Sequence, residues 1–201
     1  MSRLKLLIGS KNRHKIKEIS DILKGLDIEL LSMKDFPNLP DVEEDQSTLE
    51  GNAIKKAREN AAYAHCLALS DDTGLFIEAL HGDPGVYAAR YAGEHCSFED
   101  NRRKVLKHLS GIANRKAFFK TIVALAGPDG LIATTEGVVE GEIGLSDRGE
   151  GGFGYDPIFI VEGTGKTYSE MSEEEKNRLS HRGIALGRMI PILEEIINKE
   201  K

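Results

Sequence analysis

The feature that most constrains the fold is a change in the spacing of apolar residues within the first 32 positions. "LKLLIG" (4–9) is a short apolar run typical of a buried strand, and "IELLS" (28–32) reads as a second strand. Between them, Ile16, Ile19, Ile22 and Leu23 recur at helical spacing until Gly25. A strand, a helix and a strand in this order predict an α/β fold.

The remaining pattern favours a mixed sheet. Residues 117–143 form two β-rich runs about the turn "GPDG", which predicts a hairpin, and "GEGGFGYDPIFIV" (149–161) is a glycine-rich loop that runs into a further strand. Helices are predicted from Ser47 or Thr48 to about Cys66, over 97–109, after Ser172 and after Ser180, and Pro191 should kink or break the last one. No repeat or linker divides the chain, so we expect a single domain over 1–201.

Composition excludes some functions. A net charge of −6 argues against a nucleic-acid-binding face, although a small phosphorylated ligand needs only a local basic pocket. No apolar run approaches the ~20 residues that cross a bilayer, so we expect no membrane partner. The first residues are too weakly apolar for a signal peptide, and two cysteines suit a reducing compartment. We therefore expect a cytoplasmic protein.

The stretch "SDDTG" (70–74) places two acids between apolar runs. If the strand "LALS" ends there, Asp71 and Asp72 lie at its carboxyl end, where open α/β sheets bind ligands. The alternative is an acidic turn, in which Gly74 supplies an unusual dihedral angle. The motif alone slightly favours the turn.

A basic segment, "SKNRHK" (10–15), stands where the first strand meets the first helix. A helix N-terminus offers free amides and a positive dipole end, so it binds anions. Ser10 and Asn12 add polar groups, and Lys15 lies one turn into the helix. A simple cap with a solvated basic turn is the alternative, but cations at this end oppose the dipole and favour an anion site.

Three other segments carry candidate binding groups. Asn52 and Lys56 share a helical face, although a surface lysine is the default interpretation. "GGFGYDPIF" (151–159) allows close approach to a ligand, with Phe153 or Tyr155 either stacked on a base or buried in the core. "SHRG" (180–183) sets a His-Arg pair at a helix start, which suits anion or base recognition.

Taken together, these motifs resemble those of the inosine/xanthosine triphosphate pyrophosphatase family. The resemblance runs nearly end to end and rests on six segments in order: "SKNRHK", "EEDQSTLEGNAIKKA" (43–57), "SDDTGL", "GDPGVYAARYAG" (82–93), "GGFGYDPIF" and "MSEEEKNRLSHRGIAL" (171–186). Departures are small. Ser10 and Thr73 keep a hydroxyl where Thr and Ser are frequent, whereas Gly51 stands where many relatives have Glu.

The resemblance implies an elongated mixed β-sheet flanked by helices, with a nucleotide cleft between two lobes. It also implies Mg²⁺ dependence, a homodimer, and hydrolysis of ITP, dITP and XTP to the monophosphate and pyrophosphate. That reaction clears the nucleotide pool of bases that would otherwise enter DNA and RNA. Guanine shares the C6 oxygen of these bases, and the sequence does not show how it is rejected.

The resemblance also assigns roles to residues. Asp72 is the metal-site carboxylate and candidate base, Glu44 is a second metal ligand, and Asp71 supports them. Lys15 and Lys56 neutralise the leaving pyrophosphate, Thr73 touches phosphate, and Lys176, His181 and Arg182 meet the base. The full expected substrate-binding set is Ser10, Lys11, Asn12, Arg13, His14, Lys15, Lys56, Thr73, Phe153, Gly154, Tyr155, Asp156, Lys176, His181 and Arg182.

Two rival functions differ in testable ways. A nucleotide-binding regulator without turnover would need the base and phosphate loops but not Glu44, Asp71 and Asp72. A related pyrophosphatase for modified pyrimidine or methylated nucleotides would share the fold, but "GGFGYDPIF" and "SHRG" favour the purine branch.

Overall fold

The computed structural model describes residues 3–199, and these form a mixed α/β fold with helices flanking a sheet. The strands are β1 (Leu4–Ile8), β2 (Ile28–Ser32), β3 (Leu67–Ile77), β4 (Pro84–Gly85), β5 (Lys116–Gly127), β6 (Gly130–Ile143) and β7 (Phe159–Val161). The α-helices are α1 (Arg13–Leu23), α2 (Leu49–Ala64), α3 (Phe98–His108), α4 (Glu173–Leu179) and α5 (His181–Lys199). The predicted fold class is confirmed.

The strand order is β2-β1-β3-β5-β6-β7, with β4 beside β3. β1 pairs in parallel with β2 and with β3, as expected when helices connect neighbouring strands. β4 is antiparallel to β3, and β7 is antiparallel to β6, so the sheet is mixed. The predicted hairpin is present, because only two residues join β5 to β6.

The chain divides into two compact units. Unit 1 comprises 1–72, 121–137 and 182–201, and unit 2 comprises 73–120 and 138–181. The division cuts β3 between Asp72 and Thr73 and cuts β5 and β6 as well. A single functional domain over 1–201 stays a prediction.

Unit 1 has a continuous apolar core. The predicted stripe of α1 supplies Ile19 and Leu23, α5 supplies Leu186 and Leu193, and β1, β3 and β5 add Leu6, Ile8, Leu69, Val123 and Leu125. Helix α2 buries a face of small residues, with Ala53, Ala57 and Ala61 fully inaccessible. Small residues on that face allow a helix to approach a sheet closely.

Unit 2 is built around stacked aromatic side chains. The ring of Phe119 lies 4.7 Å from that of Phe159, which stacks on Tyr168 at 5.5 Å. Arrangements of this kind add stability beyond the area they bury. Helix α3 begins at a Ser97–Asp100 capping box, one residue inside the predicted limit.

One sequence prediction about α5 is confirmed and one is corrected. The helix begins at His181, directly after Ser180 as predicted, and Ser180 is also the C-cap of α4. Pro191 does not end α5, which is continuous from His181 to Lys199. Proline lacks an N–H donor, but the apolar face formed by Leu186, Met189 and Leu193 holds the helix in the core of unit 1.

Candidate active site

The two acids of "SDDTG" lie inside a strand, not at its end. β3 continues to Ile77, and both carboxylates are buried, Asp71 with 2% and Asp72 with 6% of its surface exposed. The predicted strand end at Ser70 is therefore wrong. Gly74 is not a turn residue either, because β4 pairs alongside and a Cβ at position 74 would lie 2.8 Å from the Gly85 carbonyl oxygen. Strand β4, which pairs with the end of β3, is distant in sequence from "LALS", so the local sequence pattern did not predict the pairing.

Successive side chains on a strand point to opposite faces, so the two acids meet different partners. Asp71 accepts hydrogen bonds from Arg182 through Nε at 3.1 Å and Nη2 at 3.0 Å, and its Oδ2 lies 3.0 Å from Lys15 Nζ. The third nitrogen of the guanidinium, Nη1, donates to Glu18 Oε2. Two carboxylates and two cations therefore form one buried network in unit 1.

The charge of Asp71 follows from its surroundings. Burial acts to raise the pKa of Asp71, but Lys15, Arg182 and Lys56 together outweigh it and hold that pKa far below its usual range. Asp71 is consequently a permanent anion that holds two cations in place. It is not a group that exchanges protons near neutral pH.

Asp72 has a different environment. Its Oδ2 accepts a hydrogen bond from Asn52 Nδ2 at 3.1 Å, and its Oδ1 lies 3.7 Å from Lys56 Nζ. The same ammonium donates to Glu44 and, at 2.7 Å, to the backbone carbonyl oxygen of Asp71. Burial raises the pKa of Asp72, Glu44 raises it further, and Lys56 opposes the shift. The Asp72 carboxylate is thus more basic than an ordinary aspartate.

Helix α1 begins as the sequence predicts. The Asn12 side chain caps it by accepting from the backbone N–H groups of His14 and Lys15, and Ser10 Oγ accepts from the Asn12 N–H. The first turn contains no acidic residue. Lys11, Arg13 and His14 are exposed, and Lys11 pairs with the exposed Asp41.

Unit 2 contains another group of predicted site residues, arranged around a buried ion pair. Lys176 Nζ lies 2.6 Å from Asp156 Oδ2, and both residues are buried. Asp156 Oδ2 also accepts the backbone N–H of Phe153 at 2.7 Å, while Lys176 Nζ lies 4.7 Å from the centre of the Phe153 ring. Gly152 has φ +75, and a Cβ there would lie 2.3 Å from Asp156 Oδ2, so this turn requires glycine.

The two aromatics of this loop have different surroundings. Tyr155 is buried and its hydroxyl donates to the Ala88 carbonyl oxygen at 2.8 Å, so it matches the core alternative. Phe153 is half-buried beside Phe98, with ring centres 5.9 Å apart.

Gly154, His181 and Thr73 are the remaining predicted residues of unit 2. The carbonyl oxygen of Gly154 accepts a hydrogen bond from Arg102, and the ring of His181 stacks on Phe119 at 4.6 Å. Thr73 is half-buried in β3.

The structure thus gathers the predicted residues into two sets. Unit 1 holds residues 10–15, Glu44, Lys56, Asp72 and Arg182, and unit 2 holds Thr73, residues 153–156, Lys176 and His181. Sequence reasoning assigned no role to Glu18, and it placed Asn52 on one helical face with Lys56 without a specific role. The signal for Glu18 was its position three residues after Lys15, and for Asn52 its position four before Lys56, which place each pair on one helical face.

Comparison with known proteins identifies the family. A model of the Ham1 family matches residues 6–192. The chain is 50% identical over 185 residues to a dITP/XTP pyrophosphatase of Elusimicrobium minutum, covering 89% of this chain and 94% of that protein. It is 49% identical over 186 residues to one of Caldanaerobacter subterraneus, covering 91% and 92%.

Solved structures agree. A Ham1 protein from Coxiella burnetii matches with a TM-score of 0.87 at 39% identity, covering 96% of this chain and 99% of that one. The Ham1 protein of Staphylococcus aureus matches with a TM-score of 0.85 at 39% identity, covering 95% and 98%. The curated relatives are hydrolases of nucleoside triphosphates, and the chain shares their class. The chain belongs to the Ham1 family, as the resemblance of its motifs predicted.

Among residues 3–199, no helix is long and apolar enough to span a membrane.

Proposed function

We propose that this protein hydrolyses ITP, dITP and XTP to the nucleoside monophosphate and pyrophosphate. The observation that carries the proposal is the arrangement around Asp72, a buried carboxylate whose pKa is raised and which lies beside Lys56 and Glu44. The names of the relatives, dITP/XTP pyrophosphatases, support the same substrates.

The donor set fits a divalent cation. Glu44 and Asp72 share one ammonium, that of Lys56, which leaves one negative charge in excess. Mg²⁺ is commonly held by one or two carboxylates together with waters and substrate phosphates. No group of three His, Cys, Asp or Glu side chains suited to a metal occurs within residues 3–199, so the substrate's own oxygens would complete the set. We assign Mg²⁺ to Glu44 and Asp72.

Bound there, Mg²⁺ would supply charge neutralisation for the phosphates. The residues of the chain do the rest. Asp72, which is buried beside Lys56, accepts a proton from the water that attacks the α-phosphorus. Lys15 and Lys56 stabilise negative charge as the bond to the leaving pyrophosphate breaks, and the positive dipole end of α1 favours the same oxygens.

The second set, in unit 2 and at the start of α5, serves the base. Phe153 offers an aromatic face, the Lys176–Asp156 pair holds its loop in shape, and His181 lies against Phe119. Donors such as Lys176 and Arg182 suit the C6 oxygen of hypoxanthine and xanthine. They suit the amino group of adenine less well, because that group is itself a donor.

We further propose a cytoplasmic homodimer acting as one functional domain. The motif resemblance supports the dimer, and Cys66 and Cys96 as free thiols suit a reducing compartment.

Release of pyrophosphate from a panel of nucleoside triphosphates, with and without Mg²⁺, tests the function. We expect turnover of ITP, dITP and XTP that requires Mg²⁺ and far exceeds turnover of ATP and GTP. Orthophosphate with a nucleoside diphosphate as products would contradict the proposal, as would equal rates on ATP.

A further inference from the structure

We propose that Asn52 is a positioning residue that fastens the loop carrying Glu44 to Asp72, so that the two carboxylates are brought into place together. The inference rests on the proposed function, which it deepens. It concerns how this chain assembles the pair Glu44 and Asp72.

Asn52 is 2% exposed and uses both ends of its amide. Oδ1 accepts the backbone N–H of Gln46 at 3.0 Å, and Nδ2 donates to Asp72 Oδ2 at 3.1 Å. An amide has one acceptor end and one donor end. Because Gln46 N–H occupies the acceptor end, the donor end must face Asp72.

The orientation matters for Asp72. A hydrogen bond at Oδ2 fixes the rotation of the carboxylate, which leaves Oδ1 directed towards Lys56. Asn52 does not touch the reacting atoms in this arrangement. It acts through Asp72.

The loop is docked on α2 by three consecutive residues. Glu44 pairs with Lys56, Asp45 lies 2.9 Å from Lys55, and Gln46 donates to Asn52. The first two contacts are ion pairs between long side chains, which fix geometry weakly. The third joins a backbone amide to a buried side chain and therefore determines where the loop ends.

Gly51 makes this close approach possible. A Cβ at position 51 would lie 2.9 Å from Gln46 Cβ and 3.1 Å from Thr48 Oγ1. A side chain there requires Gln46 or Thr48 to shift. This gives a structural reason for glycine at position 51.

Three variants separate the two ends of the amide. Asn52→Leu removes both hydrogen bonds, and Asn52→Asp keeps an acceptor for Gln46 but loses the donor to Asp72. Gly51→Ala disturbs the loop and leaves the Asn52–Asp72 bond intact. Asn60→Leu is the matched control, because Asn60 is equally buried on α2 but its Nδ2 donates to Ser70.

Two measurements are made on each variant: kcat and KM for ITP with Mg²⁺, and amide hydrogen exchange of residues 43–48 without substrate. Asn52→Leu should lower kcat at least 30-fold, change KM less than threefold, and speed exchange at Gln46 at least tenfold. Asn52→Asp should lower kcat similarly but keep exchange at Gln46 within threefold. Gly51→Ala should speed the exchange while lowering kcat less than tenfold. Asn60→Leu should keep kcat and loop exchange within threefold.

Retention of more than a third of kcat in Asn52→Leu would overturn the proposal, and so would unchanged exchange at Gln46. If neither Asn52 variant folds by circular dichroism, unchanged exchange in Gly51→Ala overturns it. A wild-type protein that releases no pyrophosphate from ITP would contradict the proposed function instead. The exchange rate at Gln46 in the Asn52 variants would still show whether Asn52 holds the loop at residues 43–48.

Discussion

Both units bury carboxylates with cations, but they do so in different ways. In unit 1, Asp71 is shared between Lys15 and Arg182, and Arg182 also binds Glu18. In unit 2, Asp156 and Lys176 form a buried ion pair beside the ring of Phe153. A cation with several anionic neighbours can give up one contact to a ligand at low cost, whereas breaking a single buried pair strands a charge. The first arrangement suits phosphate binding and chemistry, and the second suits a fixed loop.

The largest expected effect is on the chemistry of unit 1. Asp72→Asn should lower kcat for ITP about 1000-fold, equivalent to about 4 kcal/mol in the barrier, because the amide cannot accept the proton from water. The thermal unfolding midpoint should change little. Steady-state release of pyrophosphate measures the effect, and Asp129→Asn at the exposed hairpin turn is the control. A variant that keeps more than about a tenth of wild-type kcat, a loss below ~1.4 kcal/mol, would refute the assignment of Asp72.

The next effect is on the stability of unit 2. Lys176→Met leaves Asp156 charged and buried without its ammonium, so the free energy of unfolding should fall by about 3 kcal/mol. Adding Asp156→Asn should recover part of that loss, since no stranded charge remains. Urea unfolding measures both. Lys166→Met, which breaks the exposed pair with Glu175, should cost about 0.5 kcal/mol.

If the double variant Lys176→Met/Asp156→Asn has a lower free energy of unfolding than Lys176→Met, the Asp156 carboxylate stabilises the loop by more than its pairing with Lys176. The hydrogen bond from the Phe153 N–H to Asp156 would then be the main contribution.

Local sequence patterns predicted the elements whose signals are local. The stripe of α1, the cap at Asn12, the limits of β2 and the hairpin at "GPDG" all depend on neighbours a few residues apart. The predicted end of β3 was wrong because the last residues of this strand pair with β4, which lies outside the short segment from which a strand is predicted. Pairing with a later part of the chain therefore determined where β3 ends.

The candidate site shows the same limit. Residue types and motif order pointed to Asp72, Lys56 and Lys15, but Asn52 and Glu18 gain their importance from partners 20 and 164 residues away. Helical spacing placed each of them beside a lysine of the site, but it did not indicate the contacts with Asp72 and Arg182. The sequence alone indicated that the two adjacent aspartates belong to a site. Only the structure showed which cations each aspartate contacts.

A smaller effect is expected from replacing either of the two cations that contact Asp71. Lys15→Ala should lower kcat/KM for ITP and for ATP by a similar factor of about 100, because every triphosphate has the same phosphates. Lys56→Ala should behave likewise. Arg182→Ala should lower kcat/KM for ITP about tenfold more than for ATP, because only a group that meets differing atoms creates selectivity.

Measuring kcat/KM for both nucleotides in each variant separates the roles. An unchanged ITP:ATP ratio in Arg182→Ala would mean that Arg182 acts only through Asp71 and Glu18, to which its three side-chain nitrogens donate. A strongly altered ratio in Lys15→Ala would reverse the division between phosphate and base contacts.

The smallest effect tests whether the exposed part of the basic segment belongs to the site. Lys11 is exposed and pairs with the exposed Asp41, so a contact to phosphate from this position is screened by water and salt. Lys11→Ala should raise KM for ITP about threefold, or about 0.6 kcal/mol, and leave kcat unchanged. The increase should disappear in 0.5 M salt, where the Debye length falls to a few ångströms. Lys5→Ala, an exposed lysine on β1, is the control. A fall in kcat with Lys11→Ala would contradict this prediction. The Lys11 ammonium would then belong, with Lys15 and Lys56, to the groups that stabilise the transition state.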